Sequence, residues 1–211
     1  IVHCHGYNLF IANMLQLFCR LYGKKIIFSE HSAGGFNLNK YMDVAGYADA
    51  FIFQSKFAAS LYERYAAKSH IVYLGVDTEK FRLLPGIKKT GKIVCVGRLL
   101  PHKGIDYVIR AAGKDIGLEI YGRPYDGEYY KYLQSLAGGG NIRFITDAND
   151  DRIVEAYNSA AASVLASVHV TYDGRHHRAP ELFGLVVAEA MACGTAAIVA
   201  NTSSLPELVE N

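Results

Sequence analysis

Lys92-Ile-Val-Cys-Val-Gly97-Arg98-Leu-Leu-Pro-His-Lys103-Gly104 decides the fold. Four consecutive apolar, β-prone residues end in glycine and two cations, and an apolar helical pattern follows over 105–112. A short run that is apolar at every position belongs to a strand covered on both faces, as in a parallel sheet flanked by helices. The same rhythm recurs at 25–29, 50–54, 71–74, 118–121, 142–145, 163–166 and 197–200, with helical patterns between them. The chain also opens on Ile1-Val2 as though already inside a strand. This predicts an α/β protein with two Rossmann-like, doubly wound parallel-sheet halves.

Composition leaves room for such a core. Of the 211 residues 51% are hydrophobic and 20% charged, which excludes a disordered, collagen-like or disulfide-scaffold chain. Lys plus Arg number 22 against 20 for Asp plus Glu, so no strong field draws the chain to nucleic acid. Cys4, Cys19, Cys95 and Cys193 are widely spaced and mostly inside apolar runs, which predicts reduced thiols and a cytoplasmic location. Residues 9–22 are interrupted by Asn13, Gln16 and Arg20, too short and polar to span a bilayer, and Leu9, Ala12, Leu15 and Cys19 are expected to face the core. There is no initiating Met or leader pattern, so a fragment with both halves incomplete is expected.

The punctuated stretch Arg82-Leu-Leu-Pro-Gly86 and the polar residues 88–91 predict a boundary near residue 88. That gives an N-terminal Rossmann-like domain at 1–87, with four strands and the linker, and a C-terminal one at 88–211, with five. Ligands of such sheets lie beyond the carboxyl ends of the strands. There, Arg98 and Lys103 stand before a helix whose free amides suit a diphosphate.

A second cluster is Pro180-Glu181-Leu-Phe-Gly184-Leu185, continuing to Glu189-Ala-Met-Ala-Cys-Gly194-Thr195. Gly184 predicts a close backbone approach, Val186, Val187, Ala190 and Met191 a buried stripe, and Gly194 the helix stop, so Glu189 lies on the helix. The two carboxylates, eight residues apart, span roughly 12 Å of helical rise, beyond the roughly 5–9.5 Å of a glycosidase pair. They suit a long bipartite ligand: one accepts hydroxyls at each end, with the amides of Gly184 and Leu185 on phosphate between them.

Other clusters carry less. His3-Cys4-His5 puts both imidazoles on one strand face, but no further ligands follow at zinc spacing, so no metal site is predicted. Gly138-Gly-Gly140 lacks the Lys-Ser/Thr of a phosphate loop and reads as a turn. Asp147 and Asp150 are candidates for the nucleotide-base region, with a helix cap the competing role for Asp150. Residues 168–180 form a polar loop leading into Glu181.

Gly97-Arg98-x4-Lys103-Gly104, Glu181-x7-Glu189 and Glu189-Ala-Met-Ala-Cys-Gly-Thr195 together resemble the retaining, metal-independent glycosyltransferases of GT-B fold. That group contains sucrose-phosphate synthase and the phosphatidylinositol mannosyltransferases. The likeness runs through Tyr121-Gly122-Arg123, Asn141-Ile-Arg-Phe144 and Leu205-Pro-Glu-Leu-Val209, and departs from the family at Ala166, Ala196 and Ser203-Ser204. It implies transfer of a hexosyl unit from a nucleoside diphosphate sugar to an acceptor hydroxyl, with no cofactor besides that donor. It makes the domain at 1–87 the acceptor side and that at 88–211 the nucleotide-sugar side. In it Arg98 and Lys103 hold the diphosphate, Glu181 contacts the transferred sugar and Glu189 the ribose. His31, in Ser29-Glu30-His31-Ser32, matches the family's active-site histidine, expected to touch the donor sugar. A sugar or lipid-linked acceptor, and with it peripheral membrane contact, is implied too. The competing readings are a nucleotide-sugar epimerase of the same architecture and a non-catalytic nucleotide-sugar-binding fragment; a dinucleotide oxidoreductase is disfavoured because no G-x-G-x-x-G follows a strand.

Overall fold

β1 (Val2–His5), β2 (Ile26–Glu30), β3 (Ala50–Phe53) and β4 (Ser69–Ile71) form one parallel sheet in that order. The computed structural model describes residues 1–6, 10–31 and 45–209. Parallel neighbours need crossovers, supplied here by α1 (Phe10–Leu21) between β1 and β2, and by α2 (Lys56–Ser60) with a 3-10 turn (Glu63–Lys68) between β3 and β4. Ser55 caps α2, its Oγ accepting from Ala58 N at 2.9 Å. Ile26, Phe28, Phe51 and Phe53 are fully buried, and the Phe51 ring stacks on Tyr65 at 4.8 Å. The fourth strand lies earlier than the expected 71–74. Pairing with β3 runs over Ser69–Ile71 and ends where Val72 N donates to Phe53 O at 2.9 Å, and residues 72–74 beyond it are exposed.

α1 departs from its expected face. Ala12 and Cys19 are buried as predicted, but Asn13 and Gln16 are buried with them, Leu15 is half-buried, and Leu9 lies outside the described residues. Phe10, Ile11, Met14, Phe18 and Leu21 point outward. The buried face carries the small side chains Ala12 and Cys19 with Asn13 and Gln16, and the bulkier apolar stripe is left outside. Among the described residues no helix is long and apolar enough to cross a membrane.

The second sheet has the order β7-β6-β5-β8-β9, all parallel. It comprises β5 (Ile93–Val96), β6 (Leu118–Tyr121), β7 (Ile142–Ile145), β8 (Ala162–Leu165) and β9 (Ala196–Val199). Its helices are α3 (Ile105–Ala112), α4 (Gly127–Leu136), α5 (Asp150–Ser159) and α6 (Leu185–Ala192). β5 is central, and strand order reverses direction there, which opens the crevice in which such sheets bind ligands. Alternation along β5 serves both faces: Val94 and Val96 pack with Tyr121, Tyr157 and Ala190, while Cys95 packs with Leu99, Ile105, Leu118 and Leu133. Residues 138–140 form the expected turn between α4 and β7.

The compact units are residues 1–74 and 75–211, so the division precedes the boundary expected near residue 88. The reason is a strap. Phe81 is buried in the core of the second unit, Leu84 N donates to Asn158 Oδ1 at 2.7 Å, and Asn158 Nδ2 donates to Arg82 O at 3.0 Å. Proline and glycine at 85–86 therefore bend a packed segment rather than mark a free linker. Asn158→Ala should unpair both strap groups and lower stability by about 2 kcal/mol in urea unfolding; an unchanged midpoint would show that the strap is not held this way.

Candidate active site

The site begins where β5 ends. Gly97 and Arg98 leave the sheet, a 3-10 turn (Pro101–Lys103) follows, and α3 starts behind Gly104. Gly104 has φ +64°, and a Cβ there would stand 2.0 Å from the carbonyl oxygen of Ala166, just past β8. Only glycine allows this approach. Val168 N donates to His102 O at 2.9 Å and fastens the two strand exits together.

This brings together residues far apart in sequence. Lys103 Nζ donates to Glu181 Oε2 at 2.6 Å, and both side chains are nearly enclosed, 12% and 13% exposed. Ser167 Oγ is 3.4 Å from the same carboxylate oxygen, and Ser204 Oγ donates to the Glu181 carbonyl at 3.2 Å. Sheltered from water, such a pair is screened far less than a surface one. His102 faces His177 at 4.8 Å between ring centroids. Burial, then the charges of Lys103, His177 and Arg98, push the His102 pKa down to about 4, so it adds no third charge beside Lys103 at neutral pH. The loop at 168–180 is a docked hairpin: Val170 pairs with His176, and the Tyr172 ring stacks on Tyr132 at 4.3 Å.

Glu189 lies on α6 as expected. Gly184 precedes the helix with φ +96°, and a Cβ there would approach Leu205 Cδ2 to 2.7 Å, so the predicted close approach is to side chains beneath the helix mouth. Leu185 is exposed at that mouth. Of the expected buried stripe, Val187 and Ala190 are buried and Val186 half-buried, but Met191 is 49% exposed. Burial raises the Glu189 carboxyl pKa above its ordinary 4.5, and the charge of Asp150 adds to this while Lys80 opposes it. Asp150 is ion-paired to Lys80, and the cap of α5 is its neighbour Asn149, whose Oδ1 accepts from Arg152 N at 3.1 Å. Asp147 is exposed at the β7 exit.

Arg98 is exposed and, among the described residues, has no ion-pair partner. With Arg123, Tyr125 and Thr146 it lines a cleft of about 220 Å³ floored by Gly97, Gly122 and Ile145, at the exits of β5, β6 and β7. Arg123 and Ser167 were not singled out as site residues by sequence; their signal was position just past a strand end. His31 belongs to the first unit, one residue beyond β2, and its Nε2 lies 2.8 Å from His5 Nδ1. Ser32 lies outside the described residues. Among the described residues no three His, Cys, Asp or Glu side chains converge as metal ligands would.

Two parallel-sheet units, with cations and carboxylates gathered at the strand exits of the second, make up a GT-B fold. Residues 77–211 match the family model described as Glycosyl transferases group 1, and residues 1–80 match Glycosyltransferase Family 4. The chain belongs to the group 1 glycosyltransferases. It is 33% identical over 141 residues to the uncharacterized glycosyltransferase MJ1607 of Methanocaldococcus jannaschii, covering 62% of this chain and 33% of that one. It is 27% identical over 167 residues to D-inositol 3-phosphate glycosyltransferase of Mycolicibacterium smegmatis, covering 71% of this chain and 36% of the relative. Sucrose-phosphate synthase from Thermosynechococcus elongatus shares the fold with a TM-score of 0.71 at 20% identity, over 96% of this chain and 56% of that one. The chain thus spans about a third of the length of these curated relatives.

Two outcomes follow from this geometry. Gly104→Ala should cost on the order of 2 kcal/mol in stability, from backbone strain and the clash with Ala166; wild-type stability would mean that the two exits separate freely. For Glu189, the folded carboxyl holds its proton more tightly than the unfolded one. Its contribution is therefore most favourable below the unfolded value near 4.5 and is lost as pH rises through the raised folded value. Glu189→Gln should raise Tm at pH 7 and give no gain at pH 3; equal melting of the two proteins at pH 7 would contradict this.

Proposed function

We propose that the whole protein transfers a hexosyl unit from a nucleoside diphosphate sugar to an acceptor hydroxyl with retention of anomeric configuration, without a metal ion. The observation that carries this reading is the sheltered Lys103–Glu181 pair. An ammonium has three N–H donors, and Lys103 uses one on Glu181, leaving two for diphosphate oxygens. The second oxygen of Glu181 is left to accept from a sugar hydroxyl. One pair thus serves both sides of the bond to be broken, while each group keeps the other neutralised until the donor arrives.

As the bond from the anomeric carbon to the diphosphate breaks, negative charge grows on the leaving oxygen. Lys103, the exposed guanidinium of Arg98 and the amides of Gly184 and Leu185 at the α6 mouth stabilise that charge in the way a divalent ion would. Glu189 accepts from the ribose hydroxyls, and the resemblance assigns His31 to the donor sugar. Family membership supports glycosyl transfer as the reaction class.

The full-length enzyme is expected to form a glycoside from a uridine, guanosine or adenosine diphosphate sugar in excess EDTA, with the donor's anomeric configuration read by proton NMR of the first product. An inverted product, or epimerised donor with no glycoside, would refute the reading. Lys103→Ala should lower kcat by about two orders of magnitude. Glu189→Ala should chiefly weaken donor binding by calorimetry, and unchanged affinity would remove Glu189 from the ribose.

A further inference from the structure

Two imidazoles meet at the exits of β1 and β2. His5 is the last residue of β1, paired in register with Ser29, and His31 follows the end of β2. His5 Nδ1 and His31 Nε2 are 2.8 Å apart, and the ring planes lie within 12° of parallel. The ring centroids are 5.1 Å apart, which is the N···N separation plus one ring radius on each side. The rings are therefore bonded edge to edge in a common plane, where nitrogen lone pairs and N–H bonds lie, rather than stacked face to face.

The backbone and a neighbour hold this arrangement. Gly6 N donates to Ser29 O at 2.7 Å, which ties the end of β1 to β2 just beyond His5. His3, on the same face of β1, lies with its ring 4.7 Å from that of His5, and its Nε2 is 2.8 Å from Ser29 Oγ. His5 is thus flanked on both sides.

An in-plane contact between two imidazole nitrogens needs one N–H and one lone pair. In either assignment Nε2 of His31 is occupied, so Nδ1 is the only His31 ring nitrogen left for a ligand. The proton positions on the two rings are then coupled: a proton on His5 Nδ1 makes Nε2 of His31 the acceptor and leaves its Nδ1 a donor, and the reverse assignment reverses both. We propose that His5 is a positioning residue: it engages Nε2 of His31, holds the ring in one of these two tautomers, and leaves Nδ1 to meet a sugar hydroxyl. The role toward sugar rests on the glycosyl-transfer reading; the coupling of the two histidines does not.

The test uses the full-length protein and two substitutions. His5→Asn keeps a polar side-chain atom where Nδ1 stands, whereas His5→Phe keeps the ring and removes the bond. Long-range nitrogen–proton NMR of the ligand-free protein should show His31 in one tautomer in wild type and His5→Asn, and a tautomer mixture in His5→Phe. In turnover, His5→Phe should lower kcat about tenfold with little change in donor KM, His5→Asn should restore it to within about threefold, and His5→Phe should cost nothing further in a His31→Ala background. A single His31 tautomer in a folded His5→Phe protein, or an additive double substitution, would overturn the proposal. The expected tautomer pattern in an enzyme with no glycosyl transfer would support the coupling and refute the glycosyl-transfer reading on its own.

Discussion

The missing side chain at residue 104 is the constraint on which the site depends. A Cβ there would sit 2.0 Å from the Ala166 carbonyl, so the loops leaving β5 and β8 touch only because it is absent. β5 and β8 pair at the base through Ile93–Ala162 and Val94–Ser163, and the Gly104 contact closes them again at the exit. Beside this exit contact Lys103 reaches Glu181, whose backbone carbonyl is tied to Ser204 and whose carboxylate Ser167 also approaches. An ion pair preorganised in this way loses little conformational freedom when a charged ligand arrives, and the neutral His102 beside it adds no competing charge.

Much of the fold was legible because parallel strands carry their signal locally. Leu118–Tyr121, Ile142–Ile145 and Ile105–Ala112 coincide with their apolar runs, and the other strands of the second sheet shift by a residue or so. Two features turn on partners that no local window of sequence contains. α1 carries more than one stripe at helical spacing, and apolar periodicity does not say which one is buried; it is the one with Ala12, Cys19, Asn13 and Gln16. The boundary near 88 was read from proline and glycine, which report local bending. The partner of Leu84 lies 74 residues away on α5, and no window of sequence contains both.

The same split governs the site. Residues at strand exits were identifiable one at a time, since parallel sheets present their ligands there. Their pairings were not: Lys103 and Glu181 are 78 residues apart, and His5 and His31 are 26 apart. The cap that competed with a base-region role for Asp150 falls one position earlier, on Asn149, and Asp150 meets Lys80. Arg123 stands past β6 as Arg98 stands past β5, and a cation at one exit gives no cue that another shares its cleft.

The two carboxylates of the Glu181–Glu189 segment meet opposite circumstances, and the contrast bears on how a ligand is held. Glu181 has a lysine at 2.6 Å. Glu189 is half-buried, the charge of Asp150 works against its ionisation, and Lys80 offsets this only in part because that ammonium is engaged with Asp150. An ionised group in this position is stabilised by any neutral donor that reaches it, and vicinal hydroxyls of a ribose supply two such donors without introducing a charge. A cation in their place would quench Glu189 permanently and leave nothing for a ligand to compensate. The folded protein thus keeps one carboxylate neutralised and leaves the other under-satisfied; in the reaction proposed above the first serves the reacting end of the donor and the second the end that is only bound, so stability is given up where recognition needs it.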